Sequence, residues 1–271
     1  MEKHSCLDDS PTLRMISLDE VDSTNNFLRR LDTLDDRRMT LVTTEFQSAG
    51  RGSGENRWES AKGENLLFSL RVMPQNLPVR RMFAISEVTA LALKDSLTLT
   101  LSRGEGILPL APCPLPPAFR IKWPNDIYFA DSKVAGMLIE NDLQGALVRS
   151  SVIGIGINVN QRRFVSDAPN PRSLADIVGH DIDRCAVLKQ FMERFEHYMS
   201  LIDEGKEDVL DTLHEHYKNH LYRFGEEHDF IDEMGTFCAK LVDVEPSGHL
   251  ILQDKEGKRR RYEFKEVRYI I

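Results

Sequence analysis

At 271 residues the chain is long enough for one large domain plus a small one, with a core that needs no disulfide to hold it. Hydrophobic residues make up 41% and charged residues 29%, which excludes a disordered or fibrous protein. The formal net charge of -8 excludes a surface that coats nucleic acid, since phosphate neutralisation needs clustered Lys and Arg, but not a local basic pocket.

In VDSTNNFLRRLDTL, Asp22 or Ser23 can act as an N-cap and Phe27, Leu28, Leu31 and Leu34 recur at helical spacing, which predicts a helix over 24–34. LVTTEF (41–46) and NLLFSLRV (65–72) read as strands on either side of a glycine-rich loop. From Arg81 to Leu97 the apolar positions Met82, Ile85, Val88, Leu91 and Ala92 predict a buried helix. Five prolines and two glycines in 102–119 end that pattern in an irregular excursion. RIKW, DIYF, KVAGMLIEN and ALVRSSVIGIGINVN read as successive strands with a turn at Ala130-Asp131-Ser132. Helices are expected at about 185–202 and 208–221. After Tyr222 the period changes to short strands, which predicts a small β-barrel at 223–271 behind a larger unit at 1–222. The order is α+β rather than alternating βαβ.

Cys6, Cys113, Cys185 and Cys238 form no CxxC pair and have no His at ligand spacing, which predicts reduced thiols. No stretch approaches the roughly 20 apolar residues of a membrane span, so the expected site is the cytoplasm, without membrane contact.

Three stretches have the composition of a ligand site. GRGSG can form a nest of backbone N–H groups around an anion, with Arg51 adding charge, or can be a flexible turn. Trp58 can stack on a purine or pack into a core, and Gly154 and Gly156 inside a strand imply close approach of a ligand or of a neighbouring helix. In KWPNDIYFADSKVAGMLIE, Lys122, Asn125, Asp126 and Lys133 decorate an otherwise apolar hairpin, either facing a ligand or solvated.

VDSTNNFL, QSAGRG…W, KWPND…KVAGMLIE, GIGINVN and the C-terminal LYRFGE…EFKEVRYI, in this order, resemble the biotin protein ligases. The resemblance implies a class II aminoacyl-tRNA synthetase-like catalytic domain, with a mixed, mostly antiparallel sheet flanked by helices, plus an SH3-like C-terminal barrel. It implies ATP and biotin as substrates, Mg2+, a biotin carboxyl carrier protein as partner, and biotinyl-adenylate as intermediate. By similarity Ser23, Thr24, Asn25, Gln47, Arg51, Gly52, Lys133, Gly136, Gly154 and Gly156 bind biotin. Gly50, Arg51, Gly52, Ser53, Trp58, Asn125, Lys133 and Asn158 bind the nucleotide. Lys133, Arg51 and Asp126 are the catalytic candidates, and Asp126 is also the candidate metal ligand. Family loops commonly carry a further basic residue where this chain has Ser53, followed by Gly54 and Glu55. About twenty residues precede VDSTNN, too few for a helix-turn-helix, so DNA binding is not expected. Open edges of the central sheet are compatible with a homodimer. The alternatives are a lipoate or octanoate ligase-like acyltransferase, or a biotin-binding regulator without catalysis.

Overall fold

A computed structural model describes residues 6–31, 39–54, 56–103, 118–165 and 170–271. In chain order its first elements are strand β1 (Leu13–Val21), helix α1 (Thr24–Arg30), β2 (Met39–Gln47), β3 (Leu66–Val72) and α2 (Ala84–Arg103). Then follow β4 (Phe119–Lys122), β5 (Asp126–Phe129), β6 (Ser132–Gln144), β7 (Leu147–Ile157), α3 (Leu174–Val178), α4 (Arg184–Asp203) and α5 (Glu207–Lys218). The seven strands form one sheet in the order β1-β2-β3-β7-β6-β5-β4, antiparallel except for the β1–β2 pair.

Alternation along the central strands separates the sheet's two faces. On β7, Ile153, Ile155 and Ile157 are buried in the main core, whereas Val152, Gly154 and Gly156 face the other way. The core face packs on α2 and α4, where the Phe68 and Phe191 rings meet at 5.2 Å. Each fully buried Leu or Phe side chain there contributes about 1.5–3 kcal/mol. A buried hydrogen bond of 2.5 Å between His214 Nδ1 and Glu87 Oε1 joins α5 to α2. On the opposite face α1 lays Leu28 against Val42 and Val152, a small second cluster that fixes the N-terminus of α1 beside the glycines of β7.

Five further strands, β8 (Glu227–Asp232), β9 (Gly235–Val244), β10 (Leu250–Asp254), β11 (Arg259–Tyr262) and β12 (Arg268–Tyr269), make an antiparallel sheet in the order β11-β10-β9-β8-β12. Its buried residues, Phe230, Leu241 and Leu252 among them, are continuous with the main core. Trp123 Nε1 donates to Gly248 O at 2.9 Å and the Trp123 ring meets Phe264 edge-on at 6.1 Å, so the second sheet is docked beside the end of β4.

Several expectations change. Strand β1 and the short helix α3 were not anticipated, and α1 ends at Arg30, residues 32–34 lying outside the described ones. Helix α2 begins at Ala84, after a 3-10 turn over Val79–Arg81, and runs on to Arg103, where the excursion was expected. The rest of that excursion, 104–117, lies outside the described residues together with Cys113. The turn of the β5–β6 hairpin has two residues, Ala130 and Asp131, because Phe129 pairs with Ser132. The expectation of reduced thiols is corrected for one pair. Cys6 and Cys185 are disulfide-bonded, their Cα atoms 4.9 Å apart across a sequence separation of 179, while Cys238 is free. Among the described residues no helix is long and apolar enough to cross a membrane.

Candidate active site

The sheet face that carries α1 opens into a cleft of about 940 Å³. Its walls are the N-terminus of α1, residues 51–54 and 56–58 of the glycine loop, the outward face of β5–β7, and Phe264, Lys265, Val267, Arg268, Tyr269 and Ile271 near the C-terminus.

One end of the cleft is a closed amide and hydroxyl network. Gln47 Oε1 accepts from the Thr24 backbone N–H at 2.8 Å and from Thr24 Oγ1 at 3.1 Å, which caps α1 where Ser23 makes no side-chain cap. Ser69 Oγ lies 2.6 Å from both Thr24 Oγ1 and Asn25 Oδ1. Asn25 Nδ2 donates to Leu138 O at 3.3 Å and to Glu140 Oε2 at 3.0 Å. Ser23, Thr24 and Asn25 are buried, and burial without such partners would cost about 1–3 kcal/mol per group. The network leaves no room at Gly154, where a Cβ would stand 2.3 Å from Asn25 Oδ1.

At the centre, Lys133 Nζ is 2.7 Å from Asp126 Oδ1, both side chains part-buried. The hairpin places them: Tyr128 pairs with Lys133 across a register shift and Asp126 pairs with Gly136, so the ammonium and carboxylate meet on one face. The Trp58 indole lies on the glycines of this wall. A Cβ on Gly156 would come 2.3 Å from Trp58 Cε2, and one on Gly136 3.0 Å from Cζ3. Trp58 Nε1 is buried without a hydrogen-bond partner, and Lys133 Nζ stands 5.7 Å from the ring centroid. Arg51 turns toward Glu140, with Nη2 to Oε1 at 3.2 Å, and donates to Asn26 Oδ1 at 3.0 Å. Asn125 is held by its own hairpin, Nδ2 donating to Met137 O at 2.7 Å. Lys122 projects between Tyr269 and Tyr128, 4.8 and 5.4 Å from their ring centroids. Burial pushes its ammonium below the usual lysine range, Lys133 and Arg223 add to the effect, and Asp126 opposes it.

The cleft thus brings together Ser23, Thr24, Asn25, Gln47, Arg51, Gly52, Ser53, Trp58, Asn125, Asp126, Lys133, Gly136, Gly154 and Gly156. Gly50 and Asn158 are not on its surface. Asn158 stands behind it, with Nδ2 3.4 Å from Lys133 O, its N–H on Val134 O and its carbonyl accepting from Leu174 N. Gly50 is backed by Trp58 O, 2.7 Å from where a Cβ would lie. Glu55 lies outside the described residues.

Sequence reasoning missed Ser69, Glu140, Lys265, Arg268 and Tyr269 as site residues, and left Lys122 as either facing a ligand or solvated. Ser69 and Glu140 carried a signal, since Ser69 interrupts the apolar run of β3 and Glu140 ends the apolar run Met137–Ile139 of β6. The C-terminal three lie in EFKEVRYI, a stretch that carries the resemblance, but nothing local ties them to a loop two hundred positions earlier. Among the described residues no group of three His, Cys, Asp or Glu converges as a metal-binding set. A single carboxylate at Asp126 fits a divalent cation held mainly by phosphate oxygens and water.

Chemically, the cleft joins a donor-and-acceptor pocket to a cationic centre under an aromatic ring. Residues 18–158 match the biotin/lipoate A/B protein ligase family. The bifunctional ligase/repressor BirA of Bacillus spizizenii is 28% identical over 254 residues, covering 92% of this chain and 72% of that one. The biotin--[acetyl-CoA-carboxylase] ligase of Paracoccus denitrificans is 30% identical over 168 residues, 60% of this chain and 63% of that one. The structure of the biotin protein ligase from Aquifex aeolicus in complex with biotin and ATP is similar at a TM-score of 0.72 and 27% identity, over 95% of this chain and 99% of that one.

Proposed function

The chain belongs to the biotin/lipoate A/B protein ligase family, and we propose that it is an ATP-dependent biotin protein ligase acting on a biotin carboxyl carrier domain. The observation that carries this reading is the Lys133–Asp126 pair at the junction of the amide-lined pocket and the glycine loop, within one cleft.

A ureido ring both donates and accepts hydrogen bonds, which suits Ser23, Thr24, Asn25 and Gln47, while Gly154 and Gly156 let a flat bicycle approach the backbone. Trp58 presents a face to the adenine ring. In the first step the biotin carboxylate attacks the α-phosphorus, an O–P bond forms, and pyrophosphate leaves. Two anions must meet, so Lys133 turns from Asp126 to the phosphate and Arg51 from Glu140 to the carboxylate, offsetting charge that grows in the transition state. Bound Mg2+ would neutralise phosphate charge, with Asp126 as its protein carboxylate. In the second step the carrier lysine amine attacks the acyl carbonyl, the acyl–phosphate C–O bond breaks, and AMP leaves. Asp126 orients that amine and accepts its proton. Gly52, Ser53 and Asn125 line the nucleotide side of the same site, and Gly50 and Asn158 support it from behind.

The reading extends to a large unit at 1–222 and a small one at 223–271, to action in the cytoplasm, and to a second copy paired through an open sheet edge, which sedimentation velocity tests. The decisive assay is biotin-dependent exchange of labelled pyrophosphate into ATP, followed by transfer to a carrier domain. Exchange driven by lipoate or octanoate but not by biotin overturns the reading in favour of another acyl ligase, and biotin binding without exchange reduces it to a regulator.

A further inference from the structure

The glycine loop contributes two arginines to the cleft wall, Arg57 and Arg51, the latter drawn onto Glu140; the position two residues after Arg51 is the neutral Ser53. A further cation reaches the same place from the far end of the chain. Lys265, in the turn between β11 and β12, lines the cleft and brings its Nζ against Gly54, so close that a Cβ there would stand 2.0 Å away. Its ammonium forms no ion pair among the described residues. Of the two acids in its own turn, Glu266 turns its Oε2 to the Glu263 backbone N–H at 2.6 Å.

Two features show that this placement is built into the fold. The Lys265 backbone has φ 76°, a region where glycine is relaxed and a lysine is not, so the side chain is present against the local preference. The turn is also anchored on both sides, by Phe264 against Trp123 and by Val267, which is buried.

We propose that Lys265 is a binding residue for the nucleotide phosphate, a cation brought by the C-terminal sheet to the stretch of the loop where this chain has the neutral Ser53 and Gly54. The proposal rests on the ligase reading. An ammonium donates charge-assisted hydrogen bonds to a phosphate oxygen about twice as strong as the neutral bond Ser53 offers. Retention of the acyl-adenylate then depends on the docking of the second sheet as well as on the loop.

The experiment follows the decay of preformed biotinyl-adenylate complex by filter binding without carrier protein, with KM for ATP and for biotin from pyrophosphate exchange. The variants are Lys265→Gly, Lys265→Arg and the double variant Lys265→Gly/Ser53→Arg. Glycine suits the backbone at this position, so Lys265→Gly keeps or raises the melting temperature. It shortens the lifetime about tenfold, the effect of losing one charge-assisted contact, and raises KM for ATP while KM for biotin stays. Lys265→Arg retains the wild-type lifetime, and Ser53→Arg in the glycine background restores most of it. A Lys265→Gly lifetime equal to wild type overturns the proposal. So does a loss that Ser53→Arg fails to restore and that follows a lowered melting temperature, which assigns a structural role. If the wild-type protein makes no adenylate from biotin and ATP, the ligase reading itself falls, and this proposal with it.

Discussion

The wall of the cleft that carries Asp126, Gly136 and Gly156 is made of strands paired on both sides within the seven-stranded sheet, whereas the wall facing it is the loop 50–58. That loop is closed by Gly52 N to Asn56 O at 2.7 Å, Trp58 N to Gly50 O at 3.1 Å and Asn56 N to Ser53 O at 3.4 Å. The paired wall fixes the positions of reacting groups before any ligand arrives. The loop wall is held by few internal bonds, and its side chains rest on the opposite wall: Trp58 on Gly156, Arg51 on Glu140. Changes in the first wall are therefore expected to strike the chemical step or the fold, and changes in the second to strike retention of ligands.

The largest effect tests the paired wall. Lys133→Ala should lower adenylate formation by about a hundredfold to a thousandfold, the usual loss when one preorganised charge is removed from a transition state. Its far-UV circular dichroism should match wild type. Turnover near wild type at saturating ATP and biotin would break the comparison.

Next come two alanine substitutions two residues apart on β7. At Gly154 the new methyl meets the buried Asn25 amide, which is held by Ser69, Leu138 and Glu140 and has nowhere to go. Overpacking of this kind costs about 1–3 kcal/mol, so scanning calorimetry of Gly154→Ala should show a clear drop in Tm together with weakened biotin binding. At Gly156 the methyl meets the Trp58 ring, a side chain of the loop wall that can move aside. Gly156→Ala should keep its Tm closer to wild type and lose nucleotide affinity instead; equal Tm losses would erase the distinction between the walls.

A pH profile sharpens it further. The Lys122 ammonium loses its proton below the usual lysine range because it is buried, and the charged form is the one that attracts phosphate. Raising the pH through that lowered pKa should therefore reduce kcat/KM for ATP, with a midpoint below the ordinary value of about 10.4. Lys122→Arg, which stays charged, should flatten the fall. A profile unchanged by Lys122→Arg would show that the Lys122 charge plays no part in ATP binding or turnover.

The smallest effect belongs to the loop. If ligand anions share the cost of ordering it, biotin should tighten ATP binding about fivefold or more, measured by titration calorimetry with a non-hydrolysable nucleotide. Equal affinities with and without biotin would show that the loop is already in its bound form.

What the sequence disclosed divides along a similar line. The strands around VIGIGIN and the helices with Phe191 and Leu213 were legible because a single buried face imposes a period of 2 or 3.6 on neighbouring residues. Strand β1 was not, since it lies at the sheet edge with most residues half-buried and carries no clean alternation. Helix α3 is only five residues long and is set by a capping box between Ser173 and Asp176 rather than by periodicity. Most of the cleft was legible because its polar groups interrupt apolar strands within short motifs. The Cys6–Cys185 bond and the approach of Lys265 to Gly54 were not, because both are contacts between distant segments that leave no mark on local spacing. Asn158 illustrates the converse. It stands in a glycine-rich motif, yet its polar groups serve the backbone of Lys133, Val134 and Leu174.

The chain has two tryptophans, and the fold gives them different neighbours. Trp123 is buried with its indole nitrogen on the Gly248 carbonyl, at the seam where the second sheet docks. Trp58 lies in the cleft with its nitrogen unbonded. The protein therefore contains two built-in fluorophores in different settings, Trp58 on the glycines of β7 and Trp123 where the cleft meets the docking seam. Emission from Trp58 changes when a ligand enters beside it, and emission from Trp123 changes when the second sheet lets go. Trp123→Phe leaves a single emitter that times ligand arrival in a stopped-flow trace, and Trp58→Phe leaves one that times the release of the sheet.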